Sequence, residues 1–251
     1  MRQPLYYKTR GIIINTVAQF FLITIAISCL FPLVWMIGSS LKTQSTIFTD
    51  MSLIPKDMHW ENYLRAWEEG GFGRYFLNSI LYTTSVVFGI IIVASLAAYA
   101  FSRFEFPGKT LFFYCFMAAM MIPIPGSFVP LYVLLNKLHL RDTRIGYILC
   151  MINVGLSTSI FLLKTFFDKM PRELEDAARI DGCSKWGIWW NVALPLAKPV
   201  LAVVVIFNAL NVWNEYVLAL IIFDSNKLMP LQTALMKFQG EFITEYPLLM
   251  A

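Results

Sequence analysis

Charge is what this 251-residue chain has least of. Asp, Glu, Lys and Arg make up 14% of it against 58% hydrophobic residues, where a soluble domain carries roughly a quarter charged. Histidine occurs twice and cysteine four times. Cys29, Cys115, Cys150 and Cys183 show no Cys-x-x-Cys spacing and no neighbouring His, which excludes a disulfide scaffold and argues against thiol redox or zinc chemistry. His59 and His139 stand alone. There is no His-Glu-x-x-His and no Gly-x-Ser-x-Gly. Gly108-Lys109-Thr110 ends like a phosphate-binding loop, but Arg103 stands where that loop needs its first Gly, and Gly70-Gly71-Phe72-Gly73 lacks dinucleotide-loop spacing. An enzyme is not expected, nor a nucleic-acid partner. Energy for uphill work would enter from another chain or from an ion gradient.

The charges are absent in runs. Gly11–Leu41, Tyr75–Ser102, Thr110–Asn136 and Ile145–Leu163 contain none, and Pro199–Phe223 contains only Glu215. A helix needs about 20 apolar residues to cross a bilayer core, so each window qualifies or nearly does. The expectation is an all-α integral membrane protein, a polytopic helix bundle in a single domain 1–251. Its spans should lie at about 12–38, 76–101, 110–135, 145–164 and 199–222. With the N-terminus inside, segments 1–10, 103–109 and 164–198 carry 11 basic and six acidic residues; the other loops balance at nine of each. That bias puts the N-terminus in the cytoplasm, although Lys137, Arg141 and Arg144 crowd a short outer loop. The first apolar run is too long for a signal peptide and lacks an Ala-x-Ala cleavage site, and Ala26-Ile27-Ser28-Cys29 is a poor lipoprotein box. Tyr246–Ala251 read as the opening of a further span.

The inner loop 165–198 carries a helix with clear ends. Pro171 fits the first helical position, Glu173, Glu175 and Asp176 sit at the positive end of the dipole, and Gly182 is a natural left-handed stop. Leu174, Ala177, Ala178 and Asp181 recur at helical spacing, a shallow face that another surface could approach closely. The helix has more acids than bases, so anionic lipid would repel it and a protein partner fits better than a headgroup layer.

Asp176-Ala177-Ala178, then Gly182 after three residues, then Val192-Ala193-Leu194-Pro195 after nine more, resembles the EAA motif of binding-protein-dependent ABC importer permeases. Asp176 replaces Glu and Val192 replaces Ile. Arg179-Ile180-Asp181-Gly182 and Pro195-Leu196-Ala197-Lys198-Pro199 are similar to the carbohydrate-uptake branch, the maltose-type second permease. Asn78-Ser79, Ala97–Phe104 and Trp213-Asn214-Glu215-Tyr216 extend the likeness over residues 11–251. The resemblance implies six spans, of which five are present here, in a bacterial cell membrane. It also implies a homologous permease partner, an ATPase subunit dimer that uses the ATP, and an extracytoplasmic solute-binding protein. No cofactor is expected on this chain itself. Glu175, Asp176, Ala177, Ala178, Asp181, Gly182 and Pro195 would meet the ATPase subunit. Loop 224–245 would reach toward the binding protein.

Glu215 is the one charge within a window, where insertion costs roughly 2.5–3.5 kcal/mol. It joins Asn208, Asn211, Trp213, Asn214 and Tyr216 in a polar stripe with interleaved aromatics, suited to a sugar path or gate. Interhelical hydrogen bonding explains the same residues equally well. Pro123, Pro125, Gly126 and Pro130 call for a kink in the third span, tolerated where a neighbour or cavity satisfies the freed backbone. The alternative is an ion-coupled secondary transporter with Glu215 carrying a proton, but such carriers show inverted repeats or more buried ionisable groups.

Overall fold

The computed structural model describes residues 5–121, 124–236 and 244–251, and among these the side chains from residue 15 onward except at 124 and 125. Every regular element among the described residues is a helix. The chain divides into two compact units, Met1–Gly71 with Leu235–Ala251, and Phe72–Ala234.

In the first unit, α1 (Leu5–Ser40) contains the apolar stretch Asn15–Ser40, of mean hydropathy 2.5. Its side chains are exposed from residue 15 to residue 34. A helix apolar all round and uncovered by protein is one whose solvent is lipid. Polar contacts begin at its end. A Cβ on Gly38 would lie 2.1 Å from the Leu53 carbonyl oxygen, so the returning loop touches the helix backbone. Lys42 is buried and its Nζ donates to the carbonyls of Asp50 and Ser52. Asn62 Nδ2 donates to the Ser40 and Lys42 carbonyls at 2.8 and 2.9 Å, binding α2 (Glu61–Gly70) to the end of α1.

The second unit is organised by α3 (Phe72–Arg103) and α6 (Arg144–Lys169). Tyr82, Val86, Ile90, Ala94 and Ala98 recur every fourth residue of α3, and all are fully buried. On α6 the same spacing gives Tyr147, Met151, Gly155, Ser159, Leu163 and Phe167, also buried. Rows at that spacing are the ridges of a helix surface and seat in each other's grooves. Helix α10 (Lys198–Asn214) completes the contact. A Cβ on Gly155 would fall 2.1 Å from Asn208 Oδ1 and 2.6 Å from Ile90 Cδ1, so this glycine marks where three helices close on each other. Asn208 Nδ2 donates to Ser159 Oγ at 3.0 Å across the seam.

The window at 110–135 is not one helix. It divides into α4 (Lys109–Ala119), a 3-10 turn (Ile124–Ser127) and α5 (Phe128–Lys137). Pro125 lies in the turn and Pro130 in the first turn of α5. Proline lacks the N–H that would continue the ladder and disfavours helix in the residue before it. Pro123 lies outside the described residues. After α6 come α7 (Glu173–Ile180), α8 (Lys185–Ile188), a π-helical turn (Trp189–Ala193) and α9 (Leu194–Leu196). The segment Lys185–Leu196 meets Lys198–Asn214 at 76°. The bend falls at Ala197, ψ 1°, with Pro199 opening the new helix. The last window also breaks, at Glu215 and Tyr216, before α11 (Val217–Ile222). Three described helices are therefore long and apolar enough to span a membrane, or four with the bent pair counted as one. The expected count of five spans is not confirmed, because prolines divide the third window and the break at Glu215 divides the last.

The end of α3 near residue 78 is sewn to the chain after α11. Asn78 Nδ2 donates to the Lys227 and Met229 carbonyls, Tyr82 Oη to the Leu228 carbonyl, and the Leu231 N–H to Ser79 Oγ. That last contact opens α12 (Leu231–Leu235). In the first unit, α13 (Tyr246–Met250) packs on α1 and α2.

Overpacking the closest contact has a measurable cost. Gly155→Ala should lower stability by about 1–3 kcal/mol, read by denaturant titration of the detergent-solubilised protein. Gly126→Ala, where a Cβ meets nothing within 4 Å, should leave it unchanged.

Candidate functional site

Helix α7 opens after Arg172, whose carbonyl accepts the N–H groups of Glu175 and Asp176. Pro171 thus sits just outside the helix rather than at its first position. The three acids of the first turn face the positive end of the dipole. Termination follows the expected route. Gly182 has φ +84°, the Gly182 N–H donates to the Arg179 carbonyl, and the Cys183 N–H reaches back to the Ala178 carbonyl at 2.9 Å. A Cβ on Gly182 would meet nothing within 4 Å, so only the backbone conformation requires glycine here. Ser184 Oγ then accepts the Gly187 N–H and starts α8.

The helix is rotated relative to the face read from its sequence. Ala178 belongs to the core, and Glu175, 3% exposed, turns inward with it. The outward residues are Glu173, Leu174, Asp176, Ala177, Arg179, Ile180 and Asp181, with Asp176 and Arg179 forming an exposed ion pair at 2.9 Å. Glu175 and Ala178 are thereby withdrawn from the exposed face of the helix. The cause is the charge at the end of α3. Arg103 Nε lies 2.6 Å from Glu175 Oε1, with the two side chains 6% and 4% exposed. The contact is ionic rather than a well-aligned hydrogen bond. Tyr99 Oη donates to the other carboxylate oxygen at 3.2 Å, and Arg103 Nη2 donates to the Met170 carbonyl at 2.7 Å. Ala178, one turn beyond Glu175, fits the remaining space because it is small.

Two apolar side chains escaped the sequence reading. Ile180 is 88% exposed and Trp186 is 69% exposed. Ile180 could have been found, since it follows Ala177 by three positions on the outward side. Gly182 and Pro195 are exposed as well.

The polar stripe of α10 is divided. Asn208 is buried and donates to Ser159 Oγ and to the Val204 carbonyl, so it joins helices. Asn211 and Asn214 are exposed, and Gln232 Nε2 donates to Asn214 Oδ1 at 3.4 Å. Trp213 is half-buried, its ring edge-on to Phe76. Glu215 lies at the break between helices, where Oε1 accepts the Leu218 N–H at 2.8 Å. A carboxylate so placed satisfies an orphan donor of the helix it precedes. The charge in the last window therefore has a local partner. Tyr216 is exposed beside it.

Residues 89–251 match the family model described as binding-protein-dependent transport system inner membrane component. The chain belongs to that family. Such permeases include a probable ABC transporter permease protein, YurM, of Bacillus subtilis, 33% identical over 92% of this chain and 77% of its own. The diacetylchitobiose uptake system permease protein NgcG of Streptomyces coelicolor is 36% identical over 74% of this chain; the match spans 62% of that relative's length. The arabinooligosaccharides transport system permease protein AraQ of Halalkalibacterium halodurans is 30% identical over 90% of this chain and 82% of its own. The fold matches a bacterial ABC transporter involved in import of the acidic polysaccharide alginate, with TM-score 0.82 over all of this chain, 92% of that one, and 24% identity. The chain is thus a multi-pass membrane permease of the binding-protein-dependent type.

The buried ion pair of this permease gives a sharp stability test. Arg103→Met strands the Glu175 carboxylate and should cost about 3–5 kcal/mol. Adding Glu175→Met removes the stranded charge and should restore most of that loss in the same denaturant titration.

Proposed function

We propose that this chain is the translocation subunit of an ABC sugar importer, paired with a homologous permease and driven by two separate ATPase subunits. An extracytoplasmic binding protein would deliver the sugar. The N-terminus and α7 lie on the cytoplasmic side, in keeping with the basic bias of residues 1–10, 103–109 and 164–198. ATP is consumed by the partners, and this chain binds no cofactor.

One observation carries the reading. Helix α7 lies between α6 and the segment leading into α10, ends in a fixed turn at Gly182, and presents Leu174, Ala177 and Ile180 outward, exposed among the described residues. A short helix with an exposed apolar face at a membrane protein's edge suits a groove on a soluble partner. Asp176, Ala177, Asp181 and Gly182 form the contact, and the Asp176–Arg179 pair borders it. Sugar as cargo is supported by the relatives, permease proteins of a diacetylchitobiose uptake system and an arabinooligosaccharides transport system. It also suits Asn211, Asn214 and Tyr216, uncharged hydrogen-bonding groups exposed around Glu215 and beside Trp213.

The test is recovery of an ATPase subunit with the tagged chain from its native membrane. Ala177→Trp should keep the permease folded, since Ala177 is exposed, yet reduce the recovered ATPase at least about tenfold, the effect of roughly 1.4 kcal/mol lost from an interface. Ala178→Trp should instead impair folding, because that methyl is in the core. Normal ATPase recovery with Ala177→Trp would remove α7 as the docking element.

A further inference from the structure

We infer that Arg103, Glu175 and Tyr99 form the joint through which α7 moves the membrane helices, and that Arg103 is its central positioning residue. The inference rests on the docking of α7 proposed above. A helix that receives a push must be tied to what it moves, and α7 has few ties. Its buried residues are Glu175 and Ala178, one turn apart. The Ala178 contact is a methyl in an apolar setting, free to slide. The Glu175 contact is directional. Its two carboxylate oxygens meet Arg103 and Tyr99 separately, at 2.6 and 3.2 Å. Those residues are four apart on α3, so the carboxylate grips one turn of that helix at two points, which resists rotation as well as separation.

Arg103 extends the grip. While Nε faces Glu175, Nη2 donates to the carbonyl of Met170, the residue that caps the end of α6. A planar guanidinium with a fixed fork of donors holds both partners in one geometry, which a lysine could not do. One side chain thereby connects α3, α6 and α7. The two long helices it ties are the pair whose ridges interlock through the bundle, so a displacement of α7 is delivered to both. Such an ion pair adds little net stability over an apolar replacement; its use here is directional coupling.

The experiment uses the full complex, purified through a tag on this chain, with its four cysteines replaced by serine and a reporter cysteine introduced as Asn214→Cys. Maleimide labelling of the reporter is timed with and without ATP plus vanadate. With the joint intact, vanadate trapping should change the labelling rate. In the Arg103→Met/Glu175→Met variant, vanadate should still trap nucleotide on the ATPase subunits, while the change in labelling shrinks at least about fivefold, roughly 1 kcal/mol of lost coupling. An unreduced change would overturn the joint. If the double variant does not accumulate, Tyr99→Phe, which removes one hydroxyl, replaces it. A change reduced about twofold then supports the joint, and an unaltered one overturns it. Absence of any ATPase subunit from the preparation with Arg103 and Glu175 intact would instead defeat the importer reading, a failure seen before any joint variant is made.

Discussion

Everything in the larger unit hangs on the seam between α3 and α6. In a bilayer, apolar side chains gain nothing by leaving lipid for protein, so helices associate through close packing and a few polar contacts. The seam supplies both. Tyr82 through Ala98 and Tyr147 through Phe167 interlock at four-residue spacing. Gly155 lets Ile90 and Asn208 approach where any larger residue would hold them apart. The Asn208–Ser159 hydrogen bond then fixes α10 against α6. Polar residues at the two ends of α3 complete the arrangement: Asn78, Ser79 and Tyr82 hold the chain after α11, and Arg103 holds α7.

This division of labour explains why some features could be read from the sequence and others could not. Charge-free runs report the solvent, so the helical membrane class and the positions of α1, α3 and α6 were legible. The helix at 173–180 and its stop at Gly182 were legible too, because dipole-facing acids and a left-handed glycine are local signals. What runs of apolar residues cannot report is continuity. The prolines around residue 125 were visible as a kink, but not that they would leave two helices of 11 and 10 residues. The 76° turn at Ala197 likewise has no strong local marker beyond Pro199.

Orientation of side chains was the harder problem. Leu174, Ala177, Ala178 and Asp181 share helical spacing, yet the direction of that face depends on what lies beneath it. A charged residue on a short, acidic helix reads as solvated, and Glu175 is instead buried because Arg103, 72 positions earlier in number, reaches the same point. The stripe from Asn208 to Tyr216 shows the same limit: periodicity groups the polar residues, and tertiary contact divides them into a helix clamp, two exposed amides and a carboxylate that begins a new helix. Long-range partners decide such cases, and a single sequence does not display them.

The central claim is that the outward face of α7 is an interface with an ATPase subunit. Its most direct test is cross-linking in native membranes after Cys183→Ser, with Ile180→Cys on the outward side and Ala178→Cys on the inward side. A short bifunctional maleimide should join Ile180→Cys, and not Ala178→Cys, to a second protein identified by mass spectrometry as a nucleotide-binding subunit. Cross-links from Ile180→Cys that contain only membrane components, or none in a strain where the importer is active, would contradict the account.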